Sequence, residues 1–198
     1  DEARKVSRVI KRAVDIVAGS MAFTILSPVF LAIAVAIKLS SPGPILFRQK
    51  RIGQYGVPFT FLKFRSMHSV NDSRIHMDYI KRLIAGNVDS GVYKITEDPR
   101  VTRVGRFLRK ISLDELPQFL NVLRGEMSLV GPRPPIPYEL SYYSPHQTKR
   151  LSVRPGITGL WQVSGRSKYS YSEMIDLDLE YISRISGSLD LLILLKTC

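Results

Sequence analysis

The longest uninterrupted apolar stretch, Ile16 to Ile37, runs for 22 residues without a charge, between Asp15 and Lys38. As a straight helix it would reach about 33 Å, enough to cross a hydrocarbon core of about 30 Å. Ser27-Pro28 interrupts it near the middle and leaves arms of 11 and 9 residues, each rising only about 14–16 Å. Pro28 removes the bond to the Thr24 carbonyl and pushes Ser27 away from helical geometry. In lipid that carbonyl needs another donor, and the hydroxyls of Ser27 and Thr24 are the nearest. Arg4, Lys5, Arg8, Lys11 and Arg12 precede the run, while Lys38, Arg48, Lys50 and Arg51 follow it. A spanning helix gathers positive charge on its cytoplasmic side only. Basic clusters on both flanks predict a bent, re-entrant hairpin with both ends in the cytoplasm.

Beyond the turn-rich Ser40–Pro44, the pattern shortens. Ile45–Phe47 predicts a short strand running into a basic loop with Gly53 and Gly56, and Phe59–Met67 a second strand carrying Lys63 and Arg65. For those two cations the plain alternative is a solvated strand face. Asn71–Ala85 reads as an amphipathic helix ended by Gly86. Glu97–Lys110 sets Arg103, Arg106 and Arg109 beside the apolar Phe107, Leu108 and Ile111, an amphipathic helix suited to anionic lipid heads. Tyr138–Arg150 is expected to be helical in its later half. Tyr171–Ser186 is expected to turn Met174, Leu177, Tyr181, Ile182 and Ile185 inward, with a Ser170–Glu173 capping box in front and Gly187 as its end. Leu189–Leu195 is too short to span and is expected along the membrane or against the anchor. The fold class that follows is α+β, mostly helical: a re-entrant membrane hairpin in residues 1–38, then a cytoplasmic, membrane-associated domain in 39–198 with interfacial helices and a small β element.

Between Ile111 and Pro135 lies the stretch ISLDELPQFLNVLRGEMSLVGPRPP. Leu116, Phe119, Leu120 and Leu123 share one face of a short helix, Pro117 suits its first turn, and Arg124-Gly125 suits its end. Asp114 then falls at or next to the N-cap, and Ser112 with Glu115 matches a capping box. A carboxylate there is either a cap or a nucleophile already ionised at neutral pH. The adjacent acids repel each other, and a divalent cation or a ring of basic groups would relieve that. Arg133 sits among prolines that restrict its backbone. The loop Val153–Arg166 combines Arg154 and Arg166 with three glycines, which allow close approach to an anion. Neither a P-loop nor a GxGxxG spacing is present.

Charge narrows the partners. A net charge of +12 and a pI near 10.0 imply a polyanion: nucleic acid, a phosphate-rich ligand or an anionic membrane face. A single cysteine, Cys198, excludes an internal disulfide and fits a reducing compartment. His68, His76 and His146 lack zinc-ligand spacing with Cys or acidic partners. The start at Asp1 and the stop within LDLLILLKTC are those expected of a fragment.

Taken together, KRAVDI before an apolar run broken at Ser27-Pro28, FLKFRSM, DPRVTRVGRFLRK, SLDELPQFLNVLRGEMSLVGPRP and RPGITGLWQVSGR resemble the bacterial sugar transferase family, the monotopic polyprenyl-phosphate phosphoglycosyl transferases, over essentially the whole chain. The resemblance implies transfer of a sugar phosphate from a UDP-sugar to a polyprenyl phosphate such as undecaprenyl phosphate. UMP would be released, at the start of surface glycan assembly. It implies that Asp114 attacks the sugar-proximal phosphorus to form a covalent sugar-phosphate intermediate, and that Glu115 is its partner acid, helping to position Mg²⁺ or to manage the incoming phosphate. Extra transmembrane helices precede this module in larger members. Lys63, Arg109, Arg133 and Arg154 are the candidate phosphate contacts. The expected partners are a UDP-sugar, polyprenyl phosphate and the anionic inner membrane, with the catalytic domain on its cytoplasmic face. Nucleic acid is not among them, and assembly as a homo-oligomer stays open. Two rival readings remain: a non-catalytic basic membrane or nucleic-acid module, and a phosphohydrolase that uses a phospho-aspartate without a lipid acceptor.

Overall fold

The computed structural model describes residues 2–68, 100–165 and 169–197. The expected helix Asn71–Ala85 and Arg166 lie outside the described residues. The chain opens with α1 (Glu2–Ile25) and α2 (Ser27–Ser40), bent by 59° at the break between them. Ser27 Oγ donates to the Thr24 carbonyl at 2.8 Å, the acceptor that Pro28 leaves unpaired. Phe23 and Phe30 meet edge to face across the bend at 5.1 Å, and Phe30 meets Phe64 at 5.6 Å. No single described helix is long and apolar enough to cross a membrane, whereas the bent pair is, by length and composition.

Strands β1 (Leu46–Ile52) and β2 (Pro58–Phe64) form an antiparallel hairpin, from Leu46 opposite Phe64 to Ile52 opposite Pro58. The expected strand at Ile45–Phe47 was too short: β1 continues through Arg48, Lys50 and Arg51. Basic side chains are tolerated there because Lys50 points outward and Arg51 stacks on Phe61 at 5.2 Å while donating to the Pro134 carbonyl at 2.9 Å. The turn needs a left-handed backbone at Tyr55 (φ 58°) and Gly56 (φ 80°). β2 ends earlier than expected, because Arg65 turns inward. Its guanidinium donates to the Ser41 and Ile37 carbonyls at 2.7 and 3.3 Å and so closes the C-terminal end of α2. The solvated alternative for Arg65 is overturned.

Helix α3 (Arg103–Lys110) starts at Thr102, whose hydroxyl accepts from Gly105 N at 2.9 Å. It turns Gly105 and Leu108 inward and leaves Arg103, Arg106, Phe107 and Lys110 exposed. A 3-10 turn (Leu113–Glu115) leads to α4 (Gln118–Leu123) and to β3 (Ser128–Val130). The segment expected to be helical toward Arg150 is divided: 3-10 turns at Pro137–Tyr142 and Lys149–Ser152 flank a single α turn, α5 (Pro145–Thr148). Pro137 and Pro145 each restart the backbone, and Ser144 with Gln147 forms a capping box there.

Strand β4 (Gly156–Thr158) pairs parallel with β3 and leads into α6 (Leu160–Val163). The Ser170–Glu173 capping box forms as expected and opens α7 (Tyr171–Ser183). That helix stops at Arg184, and Gly187 begins the next one, α8 (Gly187–Thr197), instead of ending the last. Lys11 Nζ joins α1 to Asp190 of α8 at 2.5 Å. The main core gathers Phe59, Phe61, Val122, Met127, Val130, Tyr181 and Ile193; a second cluster centres on Trp161, Met174 and Ile175. In a third, Ile33 and Ile37 of α2 pack on Phe64 and Leu108.

Candidate active site

Asp114 is not a helix cap. Ser112 adopts a left-handed backbone (φ 58°) with no side-chain cap bond, so the expected Ser112–Glu115 box does not form. Instead Glu115 N donates to Ser112 O at 3.1 Å and closes a 3-10 turn, and α4 begins only after Pro117. The turn aims Asp114 into the protein, where it is 3% exposed. The buried side of α4 is also different: Gln118, Asn121 and Val122 are covered more completely than the leucines of the expected apolar face. The reason is that α4 is packed on two sides, by α1 and by β2, and β2 demands polar partners.

Asn121 shows that demand. Its Oδ1 accepts from Leu62 N at 3.1 Å, and its Nδ2 donates to Thr60 O at 2.8 Å and to Glu126 Oε2 at 2.6 Å. The amide replaces a neighbouring strand along the free edge of β2 and fixes the register between α4 and β2. One residue past Leu62, Lys63 Nζ lies 2.6 Å from Glu115 Oε1 and 4.0 Å from Asp114 Oδ2. Its stem passes the Phe61 ring, with Nζ 5.5 Å from the centroid. One ammonium therefore offsets the repulsion between two adjacent carboxylates. The far oxygen of Asp114, Oδ1, is buried and has no hydrogen-bond partner among the described residues.

The opposite end of α4 is held by α1. Arg12 Nη1 and Nη2 donate to the Val122 and Leu123 carbonyls at 2.6 and 3.0 Å. Lys11 donates to Val130 O at 3.1 Å, and buried Asp15 accepts from Leu129 N at 3.0 Å. The basic residues of the N-terminal helix are thus partly internal fasteners.

Of the four cations expected at phosphate, Lys63 is the one in contact with the acidic pair among the described residues. Arg109 is half-buried in the last turn of α3 and makes no ion pair with Asp114 or Glu115 among the described residues. Arg133 Nη1 lies 3.4 Å from Glu139 Oε2, a carboxylate with no exposure. Arg154 is half-buried just before β4, and its carbonyl packs so close to Gly131 that a Cβ there would come within 2.5 Å of it.

Behind Arg133 lies a buried polar group that the hydrophobic pattern gave no sign of. Arg150 Nη2 and Asp178 Oδ2 are 2.5 Å apart, Arg150 Nη1 donates to Tyr143 Oη at 2.5 Å, and Nη2 reaches the Arg133 carbonyl at 3.3 Å. Tyr171 Oη donates to Glu139 at 3.4 Å. Burial pushes the Asp178 carboxyl up to about 6, against the pull of Arg150. Burial, then the Glu139 charge, pushes Tyr138 up to about 12 and raises Tyr171 as well, so both hydroxyls keep their protons, and Tyr171 donates. The one clue in the sequence is Asp178 itself, a charge between Leu177 and Leu179 on a helix.

Asp114 and Glu115 fit a hard divalent cation. Mg²⁺ binds through one or two carboxylates and completes its shell with water and substrate phosphate, and Asp114 Oδ1 is an unused buried acceptor. A cage of three or more His, Cys, Asp or Glu ligands is absent among the described residues.

The family model described as bacterial sugar transferase matches residues 6–198. The chain belongs to the bacterial sugar transferase family. Its sequence is 42% identical over 194 residues to the exopolysaccharide production protein ExoY of Rhizobium meliloti, covering 98% of this chain and 86% of that protein. It is 44% identical over 195 residues to the UDP-glucose:undecaprenyl-phosphate glucose-1-phosphate transferase of Caulobacter vibrioides, with coverages of 94% and 67%. It is 40% identical over 200 residues to the undecaprenyl-phosphate galactose phosphotransferase of Salmonella typhimurium, spanning 98% of this chain but 41% of that protein. Within the family, relatives at near-equal identity are thus named for different sugars.

Proposed function

We propose that this bacterial sugar transferase moves a sugar 1-phosphate from a UDP-sugar to undecaprenyl phosphate through a covalent intermediate on Asp114. The observation that carries the reading is the Asp114–Glu115–Lys63 group: a carboxylate almost wholly buried, one oxygen unpartnered, with an ammonium poised across the pair. In the first half-reaction an Asp114 oxygen forms a bond to the sugar-proximal phosphorus while the bridging P–O bond breaks, its electron pair leaving on UMP. In the second, an oxygen of the lipid phosphate attacks the same phosphorus. The Asp114–phosphorus bond breaks, which restores the carboxylate and yields the lipid diphosphate sugar. Attack by one anion on another is opposed electrostatically, and Lys63 lowers that barrier. Glu115 anchors the ammonium at 2.6 Å. Asp114 and Glu115 would hold Mg²⁺, which when bound supplies further charge neutralisation on the diphosphate. Arg109, Arg133 and Arg154 are proposed phosphate contacts at longer range.

The membrane half of the reading rests on packing. Lys11, Arg12 and Asp15 of α1 and Ile33 and Ile37 of α2 are all fastened to the same folded body. Ile10, Val14, Val17, Met21 and Ile25 form an exposed apolar stripe on the outer side of α1, continued by Leu31 and Val35 on α2. A hairpin that enters the cytoplasmic leaflet and returns satisfies both facts; a straight span satisfies only the second.

The test reconstitutes the chain in nanodiscs with undecaprenyl phosphate and Mg²⁺, supplies UDP-glucose or UDP-galactose, and reads UMP. Intact mass without lipid acceptor should show a sugar-phosphate adduct, absent in Asp114→Asn. Undiminished turnover by that variant would refute the covalent role. Val9→Cys and Leu39→Cys should both label from the cytoplasmic side.

A further inference from the structure

Three polar side chains are buried along α4 and its preceding turn: Asp114, Gln118 and Asn121, spaced by four and three residues. The outer two are placed by their bonds. Asp114 is under Lys63, and Asn121 spans Thr60 and Leu62. Gln118 lies between them on the same helical path, about one turn from each. It is 2% exposed, and its Nε2 has no hydrogen-bond partner among the described residues. Two buried atoms of opposite type, the Asp114 Oδ1 acceptor and the Gln118 Nε2 donor, thus occur four residues apart along this path, neither with a hydrogen-bond partner among the described residues. A buried amide without a partner costs about 1–3 kcal/mol. Asn121, one turn on, shows that this same surface can satisfy an amide completely when the role is structural.

We propose that Gln118 is a catalytic residue whose amide N–H donates to a non-bridging oxygen of the phosphorus that Asp114 attacks. The proposal rests on the function given above and deepens it. The donor is neutral, so it stabilises charge developing on phosphoryl oxygen without drawing the Asp114 carboxylate into an ion pair. Lys63, engaged by Glu115 at 2.6 Å, supplies the charge, and Gln118 supplies the direction. No bond to Gln118 forms or breaks in either half-reaction.

The test compares wild type, Gln118→Met and Gln118→Glu in nanodiscs, reading the single-turnover burst of UMP from UDP-glucose or UDP-galactose and the thermal midpoint. Methionine matches the amide in size and removes an unpaired buried donor, so the fold should be as stable as wild type or more so. The burst rate should fall by about 10²–10³-fold, the loss associated with removing one oxyanion donor. Glutamate keeps the shape, loses the donor and opposes the anionic substrate, so its burst should fall at least as far. A wild-type burst in Gln118→Met overturns the proposal. So does a slow burst that tracks a lowered midpoint, the mark of a structural role. A wild type that releases no UMP from either sugar nucleotide overturns the parent function and this inference together, whereas an active wild type with an equally active Gln118→Met overturns this inference alone.

Discussion

Arg12 offers the most direct perturbation of the frame that holds the acidic pair. Its guanidinium forks onto the carbonyls of Val122 and Leu123, the last acceptors of the helix whose front follows Asp114. A hydrogen bond to a charged group contributes about 1.5–3 kcal/mol. Arg12 is half-buried, so water competes and the lower figure applies to each bond, giving about 3 kcal/mol for the two. Arg12→Met retains most of the apolar stem and removes the fork. At about 2–4 °C per kcal/mol for a chain of this length, the thermal midpoint in nanodiscs should fall by about 6–12 °C. Hydrogen exchange should accelerate at the Arg124 and Gly125 amides, which close the same helix end onto Leu120 O and Val122 O. Arg12→Lys places a single ammonium where the fork reached two carbonyls and should recover about half of the loss. A midpoint for Arg12→Met within about 1 °C of wild type would refute the reasoning, and so would unchanged exchange at the helix end.

Further outcomes follow from the same geometry. Gly105→Ala would place a Cβ 2.0 Å from the Ser66 carbonyl oxygen, so despite a helix-propensity gain of about 1 kcal/mol it should lower stability by at least about 3 kcal/mol, read as a thermal midpoint. Asp178→Leu strands the buried Arg150 guanidinium and should cost about 3–5 kcal/mol, most of it recovered in the double variant with Arg150→Met. Because burial lifts the Asp178 carboxyl from 3.8 to about 6, the folded chain keeps a proton that the unfolded chain releases between those values. This group's contribution is therefore full below about pH 4 and declines as pH rises to about 6, a slope that Asp178→Asn should remove from denaturation curves. Ser27→Ala leaves the Thr24 carbonyl without its hydroxyl donor and should cost about 1 kcal/mol in denaturation, with membrane association retained. Lys63→Met should slow UMP release by about 10²-fold while membrane association stays normal; an unchanged rate would exclude Lys63 from the site.

The local devices were legible because their causes are local. Pro28 removes one hydrogen bond, and the nearest hydroxyl replaces it. The Ser170–Glu173 box needs only three residues of spacing, and Gly125 ends α4 because the backbone there requires φ 80°. The Ser112–Glu115 match failed for an equally physical reason. Pro117 delays the helix, and the turn before it closes through the backbone, so the pattern was present without the geometry. Gly187 misled in the same way, as one glycine suits the end of a helix and the start of the next.

The sequence by itself determined the broken apolar run, the mostly helical composition with a small β element, the acidic pair preceded by a basic segment, and the family. Each of these depends on neighbours within a few residues, or on a chain-long series of motifs. Only the tertiary structure decided which charges work inside. Arg12, Arg65 and Arg150 look like any other members of a chain with a net charge of +12. Yet the first two close helix ends and the third is sealed against Asp178. The same holds for Lys63, which reaches Glu115 across 52 residues of chain. A carboxylate or carbonyl that must be satisfied away from water accepts any donor that folding brings within 3 Å or so, and no periodicity in the sequence records where that donor comes from.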